Sequence, residues 1–134
     1  MQISDVMTAN PESAQVRDSL QQVAARMDAG NFGSLPVLEN SALVGVVTDR
    51  DIAVRGVAAG QGPDTAVSEV MSGNPICVGP DCDVSEAAQL MQDKQVRRLY
   101  VTEGDRLVGV VAMADVAREA NEQLAGKTIE AISA

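Results

Sequence analysis

The chain has 134 residues, 46% of them hydrophobic but only 1% aromatic, so its core is aliphatic and it suits one compact domain or two small halves sharing a core. A formal charge of −9 and a pI of about 4.3 argue against a general binder of nucleic acid or anionic membrane, leaving any anionic ligand to a local cluster of the ten basic residues. There is no His, and the only cysteines are Cys77 and Cys82, which argues against zinc sites and His-based catalytic sites. The two cysteines read as buried, valine-like thiols rather than a redox pair. The start, Met1 to Asp5, lacks the basic segment and apolar run of a signal peptide, and no apolar run approaches ~20 residues. This predicts a cytoplasmic protein with no membrane span.

In chain order, Ile3-Ser4-Asp5-Val6-Met7-Thr8-Ala9-Asn10-Pro11 is followed by a short strand over Ser13 to Val16. Leu20, Val23, Ala24 and Met27 then recur at helical spacing, with Ser19 and Gln22 as a capping box and Gly30 at the end. Two apolar strands, 34–38 and 43–48, are joined by a short polar link, which predicts a hairpin. A second helix runs from Asp49 to about Ala59. After the linker, the same grammar returns: a strand over 76–78, then a helix on Val84, Ala87, Ala88 and Met91. Asp83 and Glu86 form its capping box and Lys94 suits its end. A hairpin over 98–102 and 107–112 follows, then a helix from Met113 to about Leu124.

The return is a true internal repeat. A gapless shift of 64 residues aligns positions 3–55 with 67–119 at 17 identities in 53 positions. It pairs Val6-Met7 with Val70-Met71, Leu43-Val44-Gly45-Val46-Val47 with Leu107-Val108-Gly109-Val110-Val111, and Asp51 with Asp115. The organisation predicted is repeat 1 over 1–60, a linker at 61–66, repeat 2 over 67–124 and a tail over 125–134. In the tail, Ile129 and Ile132 suit a helical turn. Each copy has the order β-α-β-β-α, and a right-handed crossover followed by a hairpin gives a small sheet with both helices on one face. Half a chain cannot bury that sheet well alone. The expected fold is therefore α/β (α+β), two tandem β-α-β-β-α repeats packed sheet to sheet with pseudo-two-fold symmetry.

Chemistry concentrates where the second hairpin strand meets the second helix, at Gly45-Val46-Val47-Thr48-Asp49-Arg50-Asp51. Thr48 suits an N-cap, and Thr48-x-x-Asp51 resembles a capping box with Asp in the last place. A helix start offers N–H groups to a phosphate, and Asp51 offers a carboxylate to a ribose diol. Read alone, the stretch is more simply a capped helix with solvated acids, and it is the repeat that favours a ligand site. Arg97-Arg98 is, by itself, a solvated pair at a helix–strand junction, and Met7 and Met71 read as packing residues.

A tandem of Val-Met-Thr-x-x-Pro, a helix, Leu-Pro-Val and Gly-Val-Val-Thr-x-x-Asp resembles the cystathionine β-synthase (CBS) domain pair. The likeness spans about residues 3 to 120, and Asp49-Arg50-Asp51-Ile52-Ala53-Val54-Arg55 is similar to small bacterial proteins made only of such a pair. The resemblance implies two clefts that take adenine nucleotides. In the first, Val46, Thr48, Asp49 and Asp51 join Ile76, Cys77, Val96, Arg97 and Arg98. There Asp51 holds the ribose, Thr48 meets the phosphate end, Arg97 and Arg98 neutralise phosphates, and Ile76, Cys77 and Val96 flank the base. The second joins Val110, Ala112, Met113 and Asp115 to Glu12, Ser13, Phe32, Gly33 and Ser34. Ala112 replaces the hydroxyl residue, Gly33-Ser34 replaces the cationic pair, and Glu12 adds negative charge. The expectation is a lopsided pair, with nucleotide at Asp51 and a weak or empty cleft at Asp115.

The function expected is a stand-alone, non-enzymatic regulatory module, a homodimer of pairs that binds AMP, ADP or ATP and signals in trans to a partner protein. S-adenosylmethionine is an alternative ligand, although its sulfonium and ammonium make poor use of Arg97 and Arg98. The other alternative is a dimeric adaptor that binds no small molecule.

Overall fold

The computed structural model describes residues 1–119. The expected continuation of the last helix through Ala120 to Leu124, and the tail with Ile129 and Ile132, lie outside the described residues. In chain order the elements are a 3-10 turn (Ile3–Asp5), β1 (Thr8–Ala9), β2 (Ala14–Gln15), α1 (Leu20–Gly30), β3 (Ser34–Glu39), β4 (Ala42–Thr48) and α2 (Asp49–Asp51). The helix α2 continues as a π-wound segment (Ile52–Val57), followed by a 3-10 turn (Val67–Glu69), β5 (Cys77–Val78), α3 (Val84–Lys94), β6 (Arg98–Glu103) and β7 (Arg106–Ala112). A last helix, α4, starts at 113 and is described through 119.

Two compact units emerge. One comprises Glu12–Pro75 with Gly104–Leu107, the other Met1–Pro11, Ile76–Glu103 and, among the described residues, 108–119. In the first, β2 runs parallel to β3 (Ala14 opposite Val37) and β3 runs antiparallel to β4 from Ser34 opposite Thr48 to Glu39 opposite Ala42. The start of β7 adds one pair, Ala42 with Arg106. In the second, β5 is parallel to β6 (Cys77 opposite Tyr100), β6 neighbours β7, and β1 pairs antiparallel with β7 (Thr8 opposite Val110). The strand–helix–strand crossover and hairpin read from the sequence are therefore present in each copy, with each hairpin strand one residue longer than expected and β2 and β5 shorter.

Each unit takes in the opening segment of the other repeat. Ile3 donates its N–H to Cys82 O (2.8 Å) and Ser4 to Pro80 O (2.9 Å), while Val67 donates to Asp18 O (2.7 Å) and Leu20 to Thr65 O (2.9 Å). These bonds satisfy backbone groups that burial would otherwise leave unpaired. They carry Val67 and Val70 into a core with Ala14, Leu20, Val23, Met27, Leu35, Val37 and Val47. Ile3 joins Ala87, Met91, Leu99, Val101, Val111 and Val116 in the other. Three consecutive residues are buried in β3 (Leu35, Pro36, Val37) and in β6 (Leu99, Tyr100, Val101), so both faces of those strands are covered.

Local chemistry explains the helix limits and three departures. Ser19 and Gln22 form the expected reciprocal capping box (3.1 and 2.9 Å), and α1 ends on Asn31 in the left-handed region (φ 54°), a conformation Asn tolerates. Ala24, expected on the buried stripe, is exposed: Leu20, Val23 and Met27 cover the small sheet without it. The Asp83 box does not form. Its carboxylate instead accepts from Ser85 Oγ (2.6 Å) and faces the Met1 ammonium at 3.6 Å, and these contacts hold it below the usual carboxylate range. Cys77 is exposed rather than buried, because β5 is the edge of its sheet; Cys82 is half-buried.

Candidate functional site

The strand-to-helix corner in the first unit is built by a reciprocal cap. Asp51 N donates to Thr48 Oγ1 (3.0 Å) and Thr48 N donates to Asp51 Oδ2 (3.0 Å). Asp therefore does the work usually given to Glu or Gln in this box. Thr48 Oγ1 accepts in this cap, and its hydroxyl proton remains a donor for a neighbouring group. The other carboxylate oxygen of Asp51, Oδ1, stands 4.0 Å from Arg55 Nε, at the outer limit of an ion pair. Arg55 Nη1 is directed instead to Met71 O at 3.3 Å. Asp51 thus keeps one oxygen for structure and offers the other, on a side chain only 14% exposed.

Beside it, Val46 and Ser72 exchange backbone hydrogen bonds of 2.9 Å each. That approach requires Gly45: a Cβ there would lie 2.7 Å from Met71 Sδ and 2.7 Å from Ser72 O. Asp49 N donates to Gly33 O (2.9 Å), and the Asp49 carboxylate accepts from Arg50 N (2.8 Å) at the exposed rim. This unit therefore places Val46, Thr48, Asp49 and Asp51 at one strand-to-helix corner. Beside them stand Arg55 and the Met71–Ser72 backbone, which the sequence motifs do not mark. The position of Arg55 four residues after Asp51 was the available signal, since i and i+4 share a helix face.

The other predicted group lies in the second unit. Because β5 and β6 are parallel, Ile76 and Cys77 enter one strand at the same end as Val96, Arg97 and Arg98 enter the next. Tyr100 N donates to Ile76 O at 3.0 Å and fixes this register. Left-handed Gln95 (φ 54°) closes α3 and turns the chain, with Val96 N returning to Met91 O at 3.0 Å. Ile76 and Val96 are half-buried, giving two apolar walls, whereas Cys77, Arg97 and Arg98 are exposed. Partial desolvation raises the Cys77 thiol above its ordinary value, against an opposing hydrogen bond with Thr102, so it meets neutral solution as a thiol. The arrangement supplies a neutral apolar surface beside two guanidinium groups.

The counterparts around Asp115 are different. Ala112 N donates to Asp115 Oδ2 (3.2 Å), but Ala112 has no hydroxyl to return the bond, so only half the cap exists. Arg118 Nη2 contacts Asp115 Oδ1 at 2.7 Å. Met113 N donates to Arg97 O (2.8 Å), repeating the Asp49–Gly33 bond. In the first unit, Phe32 is half-buried against the core and Glu12 is paired with Arg26 at 3.4 Å, with Asp18 at 3.8 Å from the same guanidinium. The negative charge expected from Glu12 is thus partly offset within its own unit.

The repeat, the fold of each unit and the two strand-to-helix corners define a tandem domain of the CBS type. The family model for the CBS domain matches residues 3–56 and again 67–122, and the chain belongs to that family. It is 37% identical over 132 residues to the CBS domain-containing protein YhcV of Bacillus subtilis, covering 98% of this chain and 94% of that protein. The crystal structure of Hypoxic Response Protein I with two coordinated zinc ions is similar at 32% identity and a TM-score of 0.78, covering 88% of this chain and 98% of that one. The CBS domain pair of protein MJ0100, solved with 5′-methylthioadenosine and S-adenosyl-L-methionine, is similar at 25% identity and a TM-score of 0.75 over 92% of this chain and 98% of that one. Among the described residues here, no group of three or more His, Cys, Asp or Glu side chains is placed to hold a metal. No described helix is long and apolar enough to cross a membrane.

Proposed function

We propose that this CBS pair is a regulatory sensor of an adenine nucleotide, AMP, ADP or ATP, acting in trans on a partner protein in the cytoplasm. One ligand is taken per chain by Val46, Thr48, Asp49 and Asp51 acting with Ile76, Cys77, Val96, Arg97 and Arg98. Asp51 Oδ1 accepts from the ribose diol, the Thr48 hydroxyl donates to the phosphate end, Arg97 and Arg98 oppose the phosphate charge, and Ile76, Val96 and Cys77 flank the base. The observation that carries this reading is Asp51 itself, ordered through Oδ2 by the Thr48 cap while its Oδ1 is held only at 4.0 Å by Arg55. A half-buried carboxylate set in this way is pre-organised to accept hydroxyl protons.

The protein is read as a binding module and not an enzyme: the proposed residues bring no nucleophile–base pair. The homodimer is supported by an apolar surface on the π-wound segment, where Val54 is 51% and Val57 72% exposed. Ligand regulates by binding two arrangements of the protein with different affinity. A second reading, an S-adenosyl ligand, is favoured by the likeness to the MJ0100 pair. It uses the same diol contact, but its sulfonium and ammonium make poor use of Arg97 and Arg98, leaving them only its carboxylate. Calorimetric titration with AMP, ADP, ATP and S-adenosylmethionine, on wild type and Asp51→Asn, tests the proposal. Asn keeps an oxygen for the Thr48 cap while removing the charge, so nucleotide binding falls without loss of fold. Silence toward all four ligands sinks the sensor reading in favour of an adaptor.

A further inference from the structure

We infer that Arg118 is a specificity-determining residue that competes with ligand for Asp115 and, together with Ala112, disfavours a second nucleotide there; this rests on the nucleotide reading above. The repeat shift places Asp115 on Asp51, Ala112 on Thr48, Glu119 on Arg55 and Arg118 on Val54. The arginine beside the key acid has therefore moved from the fourth residue after it to the third.

The consequence is a different contact. Arg55 spends Nη1 on Met71 O at 3.3 Å and leaves its Nε 4.0 Å from Asp51. Arg118 directs Nη2 to Asp115 Oδ1 at 2.7 Å, a short charge-assisted hydrogen bond. With Oδ2 already accepting from Ala112 N at 3.2 Å, both oxygens of Asp115 carry donors from its own helix start. A ribose diol brings only neutral hydroxyl donors, which bond a carboxylate less strongly than a guanidinium does. It must displace Arg118 before it can bind.

The pair is exposed on the arginine side (68%), so its grip is modest and its removal alone strengthens binding by up to about fivefold. Ala112 supplies the rest of the defect, since it lacks the hydroxyl that Thr48 provides. Restoring both features in one variant should raise the affinity of the Asp115 position by about tenfold.

Titrating the full chain with AMP, as wild type, R118Q and R118Q/A112T, tests the assignment. The exposure of Arg118 means that its replacement spares the core. The expected result is one AMP per chain in wild type and a second, separable binding event in R118Q/A112T. Adding D115N should abolish the second event and leave the first. A single event in all variants, or two equal events in wild type, overturns the role of Arg118 while the nucleotide reading stands. No AMP binding by wild type overturns that reading and this inference together.

Discussion

Gly45→Ala isolates the closest backbone approach in the candidate site. The added Cβ would sit 2.7 Å from Met71 Sδ and 2.7 Å from Ser72 O. Met71 can rotate away, but Ser72 O is a backbone atom held by Val46 N at 2.9 Å, so relief requires the Val46–Ser72 bridge to open. Overpacking of this kind costs about 1–3 kcal/mol, and loss of a hydrogen bond adds about 0.5–1.5 kcal/mol. The total, roughly 2–4 kcal/mol, is a large share of a small domain's stability. Urea unfolding should show a lower midpoint with unchanged slope. Because Arg55 also rests on Met71 O, the same variant should weaken AMP binding. Gly73→Ala is the control, since its Cβ meets nothing within 4 Å, and its midpoint should stay near wild type. If Gly45→Ala unfolds at the wild-type midpoint, the reasoning from this close approach is wrong.

Further outcomes follow from the helix starts and the edge strand. Thr48→Val removes the cap acceptor and should destabilise by about 1 kcal/mol, whereas Ala112→Thr completes the half-built cap at Asp115 and should stabilise by a similar amount, both read as shifts in melting temperature. In a Cys82→Ser background, alkylation of Cys77 should be slow at neutral pH and accelerate as pH rises toward its raised pKa, because only the thiolate attacks. Saturating AMP should slow that reaction further. Alkylation that is fast at pH 7, or unaffected by AMP, contradicts the place given to Cys77.

Much of the fold was legible because the repeat supplies each element twice. The hairpin strands are read one residue short at the same place in both copies, so the repeat marks element order and type rather than ends, while the Ser19–Gln22 and Thr48–Asp51 boxes depend only on neighbours three residues apart. What escaped the sequence depends on residues distant along the chain. The docking of Ile3 against Cys82 O, and of Val67 against Asp18 O, is a backbone match that no periodicity reports. Asp83 lost its expected box to Ser85 and to the Met1 ammonium, which is brought to it only by folding. The stretch after Asp51 read as ordinary helix, but Ile52–Val57 is π-wound, with Ala58 N bonded to Ala53 O at 2.9 Å. In the site, residue types pointed to Thr48 and Asp51. The competition between Arg55, Met71 O and Asp51, and between Arg118 and Asp115, required geometry.

The central claim, that the Asp51 group and the Arg97–Arg98 group serve one adenine nucleotide, is tested most directly by comparing AMP with adenosine on Asp51→Asn and on Arg97→Gln/Arg98→Gln. The account predicts that Asp51→Asn weakens both ligands, because both carry the ribose diol, while the double arginine variant weakens AMP by about tenfold or more and leaves adenosine unchanged. Equal losses of AMP and adenosine in the arginine variant, or an Asp51→Asn protein that binds both as wild type does, would contradict it.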